Sequence, residues 1–102
     1  MARELAATGD LMLTTGQRSA MERVAGFLLT FSRGNQRNGQ DPVRFELPMT
    51  RTDIGDFLGL TIETVSRTFT KLKLMHLIGL PHSNQVKLLD IDGLAGLADG
   101  NA

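Results

Sequence analysis

Five polar residues, Glu63, Ser66, Arg67, Thr70 and Lys71, recur at intervals of three and four. That spacing places them on one face of a helix. Their chemistry suits the reading of base edges. The Arg67 guanidinium can offer two parallel donors to guanine O6 and N7, and Glu63, one turn earlier, can accept from N4 of the paired cytosine. Together they would read one G·C pair, at roughly 1–3 kcal/mol of discrimination per good contact. Ser66 lies between them and is small enough to let the helix approach a thymine methyl. Thr50, Arg51, Thr61 and Thr64 sit around helix starts, where hydroxyls and free N–H groups favour phosphate, and Lys71 adds positive charge farther along. Thr50 and Thr61 are equally suited to serve only as caps, and an Arg–Glu pair four apart can be a surface salt bridge worth little.

Such a face needs a helix held across a groove, and the stretch Thr50–Leu77 supplies one. Thr50 with Asp53 three residues on predicts a capping box opening a helix over 51–58. Gly59 offers the left-handed backbone that ends it, and Thr61 predicts the cap of a second helix, 62–75. Two helices so close in sequence must cross steeply, as in a helix-turn-helix. Ile54, Leu58, Leu60, Val65, Phe69 and Leu72 fall where the two helices and their turn would share a core, and Gly55 where the crossing is closest. A polar N-terminal end followed by positive charge fits a recognition helix entering a major groove. Charged helix faces are usually just solvated; the length of the motif and the hairpin after it weigh against that reading here.

The flanking segments read as a scaffold and a wing. Ser19 with Glu22 predicts a capped helix whose Met21, Val24, Ala25, Leu28, Leu29 and Phe31 follow helical spacing, running to about Arg33 and closing on Gly34. Residues 34–42 read as a polar loop, and Val43–Leu47 alternates as a short half-buried strand. Residues 77–80 and 85–89 predict two strands around a tip, Pro81-His82-Ser83-Asn84, whose His82 and Ser83 can meet phosphate. Residues 90–98 suggest a short helix returning Leu94 and Leu97 to the core. The expected fold is mainly α with small β-hairpins, a winged helix-turn-helix over 18–102, preceded by a segment, 1–17, that ends at a Thr15-Gly16 hinge.

Composition narrows the function. With 102 residues the chain makes one domain, and no apolar run approaches a membrane span. Cysteine is absent, which removes disulfides and thiolate metal sites; His76 and His82 are six apart with no third ligand near, so no metal or cofactor is expected in this segment. Neither a nucleophile–base pair nor a phosphate-binding glycine loop is visible, so an enzyme is not expected. Lys plus Arg and Asp plus Glu both number 11, which counts against a generic polyanion binder. From Thr61 to Lys87, however, Arg67, Lys71, Lys73 and Lys87 face a single acid, Glu63.

MTRTDIGDFLGLTIETVSR resembles the DNA-binding motif of the cyclic-AMP receptor / fumarate–nitrate reduction regulator (CRP/FNR) superfamily. SAMERVAGFLLTFSR is similar to that family's preceding scaffold helix, and LMHLIGL with QVKLLD to its wing. The resemblance implies the DNA-binding domain of a homodimeric transcription regulator on a palindromic double-stranded site, with residues 1–17 the end of the dimerisation helix; the lack of cysteine, of an apolar span and of a signal peptide makes a cytoplasmic location the expected one. Glu63-Thr64-Val65-Ser66-Arg67 is similar to the fumarate–nitrate and FixK branches, and Ile62 stands where cyclic-AMP receptors carry arginine. The implied half-site is of TTGAT type. Thr68 departs from the family, which commonly has an apolar residue there. The resemblance also implies an RNA polymerase contact through residues 34–45. The rival expectation is a winged helix used for protein–protein contact.

Overall fold

Capping chemistry sets where the helices begin. In the computed structural model, which describes residues 19–100, the Ser19 hydroxyl accepts from the Glu22 amide while the Glu22 carboxylate accepts from the Ser19 amide at 2.7 Å. This box opens α1, Ala20–Arg37. Thr50 and Asp53 form the same reciprocal pair at the start of α2, Arg51–Leu58, as the sequence predicts. Thr61 caps α3, Ile62–Leu74, and Asp90 caps α4, Ile91–Ala98. The expected dimer-helix end and hinge, residues 1–17, lie outside the described residues.

Helix ends depart more from expectation. The first helix does not close on Gly34; it continues one turn to Arg37, and Asn38 caps it. The glycine in the left-handed region is Gly39, at φ +74°. Its amide reaches back to the Gln36 carbonyl and that of Gln40 to the Asn35 carbonyl, the paired bonds of a Schellman ending. The polar loop is correspondingly shorter. At the end of α2 the expectation holds, with Gly59 at φ 75° and the Leu60 amide donating to the Gly55 carbonyl at 2.8 Å. α3 ends in another Schellman arrangement, with His76 instead of glycine at φ 61°. The amides of His76 and Leu77 donate to the Lys73 and Leu72 carbonyls.

Three short strands form one antiparallel sheet in the order β1, Arg44–Glu46; β3, Gln85–Leu88; β2, Ile78–Gly79. β2 and β3 are the expected hairpin, but the sheet is completed by β1, with Phe45 opposite Val86. Alternation sends Phe45, Val86 and Leu88 inward. They meet Val24, Ala25 and Leu28 of α1, Ile54 of α2, and Val65, Phe69 and Leu72 of α3, while Leu94 and Leu97 close the core from α4.

Gly55 is where the helix-turn-helix is tightest. A β-carbon there would stand 2.5 Å from the Leu60 carbonyl oxygen, so it is the backbone of the turn, more than the second helix, that excludes a side chain. Thr68 is buried, yet its hydroxyl donates to the Thr64 carbonyl at 2.7 Å, so the departure from an apolar residue leaves no unpaired oxygen.

Candidate nucleic-acid interface

The outer side of α3 collects what its periodicity requires. Ile62, Glu63, Ser66, Arg67 and Thr70 line a shallow open depression, all of them exposed, and Lys71 is exposed beside them. The Thr70 hydroxyl is turned back onto the Ser66 carbonyl at 3.1 Å. The side chains of Glu63 and Arg67 make no hydrogen bond or ion pair among the described residues, so the salt bridge that their spacing permits is not formed. Both groups keep their full hydrogen-bonding capacity, at the N-terminal half of a helix whose first-turn N–H groups carry partial positive charge.

The threonines are engaged locally. Thr50 accepts from the Asp53 amide at 3.1 Å, and Thr61 accepts from the Thr64 amide at 3.2 Å while donating to the Thr64 hydroxyl at 2.9 Å. Their capping role is therefore met within the chain, and their exposure leaves Thr50 and Thr61 at helix starts on the surface, with Thr64 half-buried behind.

The tip of the wing carries His82 and Ser83 on the surface. On the β2 side the pairing falls short of it, because β2 contributes only Ile78 and Gly79, whereas β1 pairs with β3 as far as Gln85. Beyond the ladder the Gln85 amide donates to the His82 carbonyl at 3.1 Å and the Leu47 amide to the Asn84 carbonyl at 2.8 Å.

Arg51 meets the tip from the other side. Its Nη2 donates to the Ser83 carbonyl at 3.1 Å, and its Cζ lies 3.9 Å from the centroid of the Phe69 ring. Nη1 is enclosed with no hydrogen-bond partner, which leaves the electron-rich ring face to compensate it. Burial pushes the guanidinium's pKa down, but an arginine remains charged at any physiological pH. As folded, these contacts take up Nη1 and one donor of Nη2. Periodicity holds no signal for this pairing, because it joins the start of one helix to the inner side of another and to a loop.

The structure thus brings Glu63, Ser66, Arg67 and Lys71 together on one helix, and joins Arg51 to Ser83. Ile62 is the neighbour that sequence reasoning treated only as a replaced arginine: it is a large apolar side chain left exposed at the edge of the depression. Among the described residues there is no cluster of three or more metal-ligating side chains, and no helix is long and apolar enough to cross a membrane.

Residues 22–97 match the family model described as a Crp-like helix-turn-helix domain. The chain is 47% identical over 98 residues to the nitrogen fixation regulation protein FixK of Bradyrhizobium diazoefficiens, an alignment covering 94% of this chain and 40% of that protein. It is 39% identical over 100 residues to the transcriptional activator protein FnrA of Stutzerimonas stutzeri, covering 98% of this chain and 41% of the relative. Among solved structures, FixK2 from Bradyrhizobium japonicum superposes with a TM-score of 0.72 at 41% identity, covering 80% of this chain and 39% of that one. The chain spans about two fifths of the length of these relatives.

Proposed function

The chain belongs to the Crp-like helix-turn-helix family, in its FixK-like branch, and from that membership we propose that it is the DNA-binding part of a dimeric transcription regulator. The family and the relatives are transcription regulators, not enzymes. One observation carries the proposal: Glu63, Ser66 and Arg67 stand exposed and uncommitted on one face of α3, with a wing beside it.

In this reading α3 enters the major groove by its N-terminal turns. Arg67 donates to guanine O6 and N7, Glu63 accepts from N4 of the paired cytosine, and Ser66 lets the helix close on a neighbouring thymine. Lys71, the Thr64 hydroxyl and the wing-tip residues His82 and Ser83 face the backbone. Thr50, Arg51 and Thr61 stand at the helix starts that flank it. The half-site proposed is of TTGAT type, and two copies on a palindrome would set their recognition helices about one helical turn apart. Contact with RNA polymerase through residues 34–45, where the end of α1 and the following loop are exposed, is compatible with this arrangement.

A mobility shift with a TTGAT…ATCAA duplex against a scrambled duplex of equal length tests the proposal. Retardation of the palindrome at concentrations that leave the scrambled duplex free is the expected result. Equal retardation of both, or of neither, would leave α3 without sequence preference and return the solvated face and the protein-contact reading to the front.

A further inference from the structure

Pairing between β2 and β3 ends short of the tip, at Gly79 and Lys87, while β1 pairs with β3 as far as Gln85. Beyond Gln85 the tip is held by its own turn, from the Gln85 amide to the His82 carbonyl, and by two bonds from outside the hairpin. One is backbone to backbone, from the Leu47 amide to the Asn84 carbonyl. The other comes from Arg51, whose Nη2 donates to the Ser83 carbonyl while its Cζ stands over the Phe69 ring, 3.9 Å from the centroid. Phe69 belongs to α3 and is buried, so its ring moves only with that helix.

From this geometry we infer that Arg51 is a positioning residue, a latch that fixes the wing tip relative to the base-reading helix through simultaneous contact with Ser83 and Phe69. The inference rests on the reading of α3 as the base-reading helix. It gives Arg51 a task other than meeting phosphate. The planar guanidinium is needed because one group must stack on a ring and donate in its own plane, which a lysine ammonium cannot do. The offset between tip and helix then sets which phosphates His82 and Ser83 reach once α3 is seated. A wing freed of the latch would keep the G·C preference of Arg67 and Glu63 but lose its own backbone contacts.

Amide hydrogen exchange on the free chain tests the latch without reference to DNA, in the variants Arg51→Gln, Arg51→Lys and Phe69→Leu. The reporters are the amides of Leu47 and Gln85, which bond to the tip, against Leu28 and Leu94 in the core helices. The expected result is exchange at the tip accelerated roughly three- to thirtyfold in R51Q relative to the core amides, the range a desolvated cation–π contact supplies. F69L should match it and R51K fall between.

A second arm uses phosphate-ethylation interference and salt titration on the duplex. R51Q and F69L should both lose interference at the wing-side phosphates while keeping the matched-to-mismatched ratio and the salt slope. Tip exchange that moves no more than the core would overturn the latch. So would a salt slope made shallower by about 0.9 in R51Q with F69L leaving wing contacts intact, because that is the mark of a phosphate ligand. Should F69L fail to fold, R51Q against R51K decides: equal tip exchange in R51K and the parent chain means charge alone suffices, and the latch fails. Should the chain bind no DNA, the exchange arm by itself still upholds or overturns the latch.

Discussion

The side chains of Arg67 and Glu63 sit one turn apart at salt-bridge spacing and do not bond to each other. An exposed pair of this kind would return little to stability if closed, so leaving it open sacrifices little and keeps a fork of donors and a pair of acceptors available. Their roles separate by substitution. Arg67→Ala is expected to remove the preference for one G·C pair, a loss of about 1–3 kcal/mol on the matched duplex with little change on the mismatched one. Lys71→Ala is expected to weaken both alike and to make the salt slope shallower by about 0.9. Competition binding with a duplex changed at that one pair separates the two results. Equal losses on both duplexes from both variants would contradict the assigned roles.

Among the elements, local chemistry was legible and distant pairing was not. The starts of α1, α2 and α3 follow from Ser19, Thr50 and Thr61, because a cap and its partner lie within three residues. The face of α3 was equally legible, since a single period generates it. Gly34 misled because composition marks a glycine without saying which one takes positive φ, and Gly39 does. The pairing of β1 with β3 and the stacking of Arg51 on Phe69 join residues distant in sequence, with no periodicity to reveal them. The two glycines make opposite predictions. At Gly34 a β-carbon would meet only the Arg37 guanidinium, at 3.8 Å, so Gly34→Ala is expected to raise stability by about 0.4–1 kcal/mol. Gly55→Ala, driven against the Leu60 carbonyl, is expected to cost about 1–3 kcal/mol. Urea titration of both variants reads the difference, and the same sign for both would refute the placement. The shortened loop adds a pH effect. The Asp41 carboxylate accepts from the amides of Val43 and Arg44, and these bonds hold its pKa below the ordinary value, with the Arg44 charge assisting. A depressed carboxyl pKa contributes stability that is present above the unfolded value, about 3.9, and is lost as pH falls through the folded value. The melting temperature should therefore fall more steeply below about pH 4 in the parent chain than in Asp41→Asn.

At the scale of the whole molecule, neutrality and nucleic-acid binding have to be reconciled. Eleven basic and eleven acidic residues cancel, so there is no long-range field to draw a polyanion from any direction. Charge is instead sorted along the chain. Arg67, Lys71, Lys73 and Lys87 belong to α3 and the wing strand, whereas Asp90, Asp92 and Asp99 belong to α4 and its ends. α4 packs on α1, so these three acids lie beside the scaffold helix and those four bases on the reading helix and wing. Binding should then depend on orientation first and on attraction second, with modest affinity for one domain on one half-site. If all four bases come within reach of phosphate, the slope of log affinity against log salt for one half-site is about −3.6, which is an upper limit on its steepness. Raising salt fourfold would then cut affinity by up to about 150-fold. Titrating a single half-site duplex by fluorescence anisotropy across that range checks the value. A flat response would remove the backbone contacts from this mode of binding, and a slope much steeper than the limit would require bases from outside this segment to take part.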